Sequence, residues 1–173
     1  DIAKTRFINS EYTHSVSAAP SNPGLKATWY EFKGNKCSEI EKAPVNGTYP
    51  VEDVMIPKKV KGNIGLIIKG YFNAPQDDIY TFALLSDDGS TLTIDSEQIV
   101  DNDGPHGPKE IVGQKALAKG YHPMELRYFD QNGGQLKLKV TGSDGKEIPF
   151  THLYAHKSYI KSFSQQIIQN NID

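Results

Sequence analysis

Residues 79–95 read IYTFALLSDDGSTLTID. An apolar, strand-like run over residues 79–85 stops at two adjacent carboxylates, Asp87 and Asp88, and a second such run begins at Thr91. Tyr80, Phe82 and Leu84 form one inward row, and Leu92 and Ile94 the next. That is the period of two that a pleated strand requires. Two like charges on adjacent residues at a rigid strand end repel each other unless something positive lies between them. A hard cation held by oxygen ligands is one solution. A solvated turn is the other, because Asp and Gly are favoured turn residues. Ser86, Asp87, Asp88, Gly89 and Ser90 taken alone favour the turn.

The same period extends in both directions. Ile64, Leu66 and Ile68 alternate with Gly65, Ile67 and Lys69 on one side. Ile99 and Val100 follow a hairpin turn around Asp95, Ser96 and Glu97. Further on, Met124, Leu126 and Tyr128 alternate with Glu125, Arg127 and Phe129, and Leu136, Leu138 and Val140 alternate with Lys137 and Lys139. Residues 25–32 make another strand, with Trp29 read as a core residue. A last hairpin passes through Gly142 and Gly145. Residues 33–54 have no clear period, carry Pro44, Gly47 and Pro50, and read as irregular loop with one short turn of helix. Short alternating runs separated by Gly, Asp, Asn and Pro predict an all-β, antiparallel β-sandwich of about eight to ten strands.

The ends differ from this middle. Residues 1–24 are polar and close on a Ser, Ala and Pro stretch, read as a linker or the end of a preceding domain. The chain begins at Asp1 without a Met, which reads as an excised piece or a processed form. The sandwich is expected over 25–155. In 156–173 the spacing of Tyr159, Ile160, Phe163, Ile167 and Ile168 is helix-like, so this tail is a docked helix or the start of a further segment.

Composition narrows the function classes. The chain has 173 residues, 37% of them hydrophobic, enough for one domain with a core. A net charge of −2 argues against a nucleic-acid or anionic-membrane binder. No run has the apolar length of a membrane span. Cys37 is the only cysteine, so no internal disulfide forms, and Lys36 alone does not make it a nucleophile. The sequon at Asn46, Gly47 and Thr48 matters only in a eukaryotic secretory pathway.

Familiar catalytic motifs are missing. The sequence has no phosphate-binding glycine loop, no HExxH, no CxxC and no nucleophile elbow. Asp101, Asn102, Asp103 and Gly104 start like a calcium helix-loop-helix, but Pro105 follows and the flanks are strands. No acid pair stands out as a glycosidase dyad. What remains is three polar loops at strand ends: Asp87 and Asp88; residues 100–107; and residues 128–134. Sequence leaves open whether they share one end of the sandwich.

Three ordered runs carry a resemblance: GLKATWYEF (24–32), IKGYFNAPQDDIYTFALLSDDGSTLTIDSEQIVDNDGPHG (68–107) and LAKGYHPMELRYFDQNGGQLKLKV (117–140). Together they resemble the protective-antigen-type ("PA fourteen") domain. The resemblance implies a jelly-roll-like sandwich with polar loops at one end, used for glycan binding in bacterial glycosidases, yeast adhesins and toxins. It implies a calcium ion held by Asp87 and Asp88, joined by a cis peptide, with Asp130 as the next ligand. Backbone oxygens near Asn132 and Gly133 would contribute, and sugar hydroxyls would complete the metal shell. His106 would stack on or hydrogen-bond a sugar, or simply stand exposed between Pro105 and Gly107. Asp101 and Asp103 are expected to bind loop amides rather than metal. The implied whole is a non-catalytic carbohydrate-binding module of an exported bacterial glycoside hydrolase. It is similar to the carboxy-terminal module of Bacteroidetes-type β-hexosaminidases. Its partners would be a glycan and the attached catalytic domain, in the periplasm, at the cell surface or outside the cell. The other reading is a structural module that packs on its parent enzyme or joins subunits without binding sugar.

Overall fold

Alternation along each run becomes two sheets facing each other. A computed structural model of the chain describes residues 12–16, 24–131 and 133–149. The tail at 156–173, with its expected helix, and most of 1–24 lie outside the described residues. Nine strands are described: β1 (Leu25–Glu31), β2 (Val45–Val51), β3 (Ile64–Ala74), β4 (Asp78–Asp87), β5 (Ser90–Ile94), β6 (Glu97–Asn102), β7 (Lys109–Leu117), β8 (Gly120–Asp130) and β9 (Gln135–Thr141). A 3-10 helix spans Cys37–Lys42. One sheet has the order β2-β1-β3-β8-β5-β6 and the other β7-β4-β9, with every pairing antiparallel.

The core lies between the sheets. Leu66, Ile68, Leu84, Leu92 and Leu126 are wholly buried, and Phe72 packs edge-on against Tyr80 and Phe82 with ring centroids 5.2 and 5.3 Å apart. Trp29 packs against this core, as its place in the strand row predicts. A smaller cluster of Phe32, Cys37, Ile40, Ile67 and Phe129 lies on the outer face of the large sheet, under the 3-10 helix. Burial there pushes the Cys37 thiol far above its ordinary range, which fits an inert buried thiol.

Two strands were not visible in the sequence, and each has a physical reason. β2 is an edge strand with Gly47 and Pro50 in it, and Val51 is its one buried residue. Proline is tolerated on an edge because the edge needs no further amide donor. In β7 the inward row is Ile111, Gly113 and Lys115, which does not look apolar. Lys115 is buried there and pairs with Glu97. Gly113 closes the side of the sandwich: a Cβ at this position would meet the Ile99 carbonyl oxygen of β6 at 2.0 Å.

Residues 12–16 run beside the β7–β8 connection. The Thr13 amide donates to Ala116, the Ala118 amide donates back to Thr13, and the Val16 amide donates to Tyr121. At the start of β4, Asp78 accepts hydrogen bonds from the amides of Ile79 (2.8 Å) and Ser143 (3.1 Å), tying the last turn to the sheet. Burial acts to raise its pKa, but the hydrogen bonds from Ser143 and Ile79 outweigh it and hold the carboxyl below its usual range.

The register brings the polar loops together. Ser86 pairs with Lys109, Asp87 with Gln135, Ser90 with both Asn102 and Tyr128, and Asp130 with Ile64. The connections 87–90, 103–108 and 131–134 therefore share one end of the sandwich.

Two outcomes test this packing. Gly113→Ala is expected to lower the unfolding free energy by about 1–3 kcal/mol in denaturant melts, because backbone rather than a movable side chain meets the new methyl. Because the native pKa of Asp78 is depressed, its contribution is complete above the unfolded value of about 3.9 and is lost as pH falls through the native value. Stability of Asp78→Asn measured against pH should accordingly be lower near neutrality and fall less steeply on the acid side.

Candidate functional site

The chain crosses from the small sheet to the large one at Asp88 and Gly89. Beneath this crossing lies a buried polar net. The Ser86 and Ser90 hydroxyls bond each other at 2.5 Å. The Asn102 side-chain amide donates to the Leu84 carbonyl (3.3 Å), the Lys109 carbonyl (2.9 Å) and Ser86 Oγ (3.2 Å). These bonds join β4, β5, β6 and the start of β7. Gly89 permits the close crossing, since a Cβ would meet the Phe129 ring at 2.5 Å and the Gly104 backbone at 2.8 Å.

Above the net, three carboxylates converge. Asp87 ends β4, Asp88 follows it through a cis peptide, and Asp130 ends β8. Each offers an oxygen, and these oxygens all lie within 4.8 Å of one another. Asp130 is buried and the other two are half-buried. Asp88 is held by both flanking loops: Oδ1 accepts the His106 amide at 3.1 Å and Oδ2 the Gln131 amide at 3.3 Å. Tyr128 fixes the Asp87 backbone by donating its hydroxyl to the Asp87 carbonyl at 2.7 Å. Its phenol is pushed well above the usual tyrosine range, first by burial and then by the negative charges of Asp130, Asp87 and Asp88. Gly134 leaves the cradle open: a Cβ there would meet the Asp87 carbonyl oxygen at 2.0 Å, the Tyr128 hydroxyl at 2.3 Å and Asp130 Cγ at 2.9 Å. An all-oxygen, anionic donor set of this kind fits a hard cation such as calcium and offers nothing to a thiophilic metal.

With fold and site described, the family can be stated. The sequence model of the PA14 domain matches residues 21–150, about three quarters of the chain. The chain belongs to the PA14 domain family.

Solved structures agree on the fold. The PA14 sugar-binding domain of an RTX adhesin is similar over 79% of this chain and 99% of its own, with 17% identity and a TM-score of 0.66. The epithelial adhesin 9 A domain from Candida glabrata, in complex with Galβ1-3GlcNAc, matches over 84% and 95%, with 13% identity and a TM-score of 0.60. A β-glucosidase from Kluyveromyces marxianus, in complex with glucose, matches over 75% of this chain but 17% of its own length, with 18% identity and a TM-score of 0.56. At these identities the likeness is one of fold. No curated protein sequence matches the chain.

Within this PA14 domain the structure places the residues singled out from sequence as follows. Asp87, Asp88 and Asp130 come together. His106 reaches the site through its backbone amide; its ring nitrogens face the carbonyls of Gly107 (2.7 Å) and Asn102 (2.8 Å) in its own loop. Gly133 is exposed beside Gly134, with open space where a Cβ would go. Asn132 lies outside the described residues. Asp103 accepts the amides of Cys37 and Gly104, and Asp101 accepts that of Asp103, so both serve loop amides. Tyr128, Gln131, Gly134 and the net of Ser86, Ser90 and Asn102 were not singled out. The two serines flank Asp87, Asp88 and Gly89 in sequence, so their signal was present. Tyr128 looked like one more inward aromatic.

Removing the Tyr128 hydroxyl leaves the Asp87 carbonyl without that donor. Tyr128→Phe should lose about 1–2 kcal/mol in denaturant melts with an unchanged slope, and Gly134→Ala about 1–3 kcal/mol.

Proposed function

We propose that this domain is a non-catalytic carbohydrate-binding module that captures a glycan at the Asp87, Asp88 and Asp130 end, with one calcium ion. The observation that carries the reading is the convergence of three carboxylates within 4.8 Å at one end of the sandwich. Asp87, Asp88 and Asp130 would hold the ion, and backbone oxygens near Asn132 and Gly133 are the further donors in this reading. A bound calcium supplies a positive centre to which sugar hydroxyls can add as ligands. The chain's own part is to orient: the His106 and Gln131 amides aim the two Asp88 oxygens, and Tyr128 fixes Asp87. Similarity to a domain titled as sugar-binding, and to one in complex with a disaccharide, supports the ligand class.

In this reading the site binds weakly and raises the local substrate concentration for a linked catalytic domain. The parent would be an exported bacterial glycoside hydrolase, acting in the periplasm, at the cell surface or outside the cell. A domain of the same fold within a β-glucosidase supports that setting. Among the described residues no helix is long and apolar enough to cross a membrane.

Glycan arrays followed by calorimetry, in calcium and in EDTA, test the proposal. Binding should appear in calcium and weaken more than about tenfold with chelator and in Asp88→Ala, a loss of about 1.4 kcal/mol or more. Calcium alone should raise the melting temperature of the wild type but not that of Asp88→Ala. If no glycan binds in calcium, and deleting the module lowers the thermal stability of its parent enzyme, the module is a packing element instead.

A further inference from the structure

Among the described residues, the outer face of the large sheet is covered only in part. At the end near the carboxylates, the 3-10 helix covers Ile67 and Phe129. Toward the other end none of the described residues covers the face, which forms an open groove of about 740 Å³. It crosses β2, β1, β3, β8 and β5, with Pro50, Lys26, Lys69, Tyr71, Pro123 and Glu125 among its lining residues. Strands lie about 4.8 Å apart, so this path is about 19 Å long, the reach of a short oligosaccharide.

The chemistry of the groove is mixed in a particular way. Tyr71, Pro50 and Pro123 give flat apolar surface, suited to the C–H faces of pyranose rings. Beside the paired Tyr71 and Pro123 runs a polar cross-strand row of Lys26, Lys69 and Glu125, with Pro50 at its end. Lys69 Nζ lies 3.4 Å from Glu125 Oε1, Arg127 Nε lies 3.3 Å from Glu125 Oε2, and Arg127 also pairs with Glu41 of the 3-10 helix at 3.1 Å. Glu125 is thus held between two cations, and its side chain remains 30% exposed. Glu125, held by the less exposed Arg127, loses little further freedom when it binds hydroxyls, whereas Lys69, with its side chain 67% exposed, is only weakly tied. The lining sets two lysines, Lys26 and Lys69, against one carboxylate, Glu125, too small an excess of positive charge to hold a polyanion. A protein partner would find proline and tyrosine but no large apolar core.

We propose that this groove is a second glycan site, separate from the carboxylate end, which takes a neutral oligosaccharide lengthwise across the strands and needs no metal. It does not depend on the calcium reading, since none of its residues belongs to the cluster.

The test is a titration of the full chain, in EDTA, with soluble chito-, cello-, xylo- and laminari-hexaose, followed by amide shifts in NMR and by calorimetry. At least one hexaose should bind, with shifts centred on Lys69, Tyr71 and Glu125. Asp88→Ala should leave that binding unchanged. Tyr71→Ala should weaken it by about tenfold or more, and Lys69→Ala by less, with both variants keeping the wild-type melting temperature. Absence of binding by all four hexaoses in EDTA, or binding that is unchanged in the Tyr71→Ala, Lys69→Ala double variant, or shifts confined to residues 87–89 and 130–134, would overturn it.

Discussion

Mutual repulsion of three carboxylates within 4.8 Å is the constraint around which this end of the molecule is arranged. Two unit charges at that spacing repel by about 1 kcal/mol in water and about 3 kcal/mol at an effective dielectric near 20. Left to themselves, Asp87 and Asp88 would turn into solvent. Instead the chain aims them at one point. Hydrogen bonds from the His106 and Gln131 amides hold both oxygens of Asp88, and the Tyr128 hydroxyl pins the Asp87 backbone. Behind them, Ser86, Ser90 and Asn102 lock the strand ends from which they project. Glycines at 89 and 134 bring the surrounding backbone to distances that a methyl group would forbid. So much local organisation around like charges fits a site that a cation completes.

The same sheet presents a second surface of different character. Near the carboxylates its outer face is sealed by the 3-10 helix, which Asp103 holds by the Cys37 amide and Arg127 by the Cys37 carbonyl. Farther along, the ion-paired row of Lys69, Glu125 and Arg127 continues onto sheet that no described residue covers. One end offers concentrated negative charge, and the face farther along offers charges of both signs beside aromatic and proline surface. A module with both could hold one chain of sugar at two places, or two chains at once.

Most of the sandwich was legible because burial on one face imposes a period of two, and Tyr80, Phe82, Leu84, Leu92, Ile94, Leu126 and Tyr128 display it. β7 was hidden because its inward row includes Gly113, chosen for closeness to β6, and Lys115, neutralised by Glu97. β2 was hidden because an edge strand can carry Gly47 and Pro50 and bury almost nothing. At the site, charge density made Asp87 and Asp88 conspicuous, and the resemblance added Asp130. That the three loops meet could not be read from local pattern, since it follows from long-range register. At His106 the sequence singled out the ring, while the bond from its backbone amide to Asp88 depends on loop geometry that residue type does not show.

The central claim is that Asp87, Asp88 and Asp130 jointly hold a cation. A crystal structure grown in calcium tests it most directly. The account predicts one spherical density peak about 2.3–2.6 Å from a carboxylate oxygen of each of the three residues, with anomalous signal suited to calcium. Three carboxylates turned apart into solvent, with no peak between them at millimolar calcium, would contradict it.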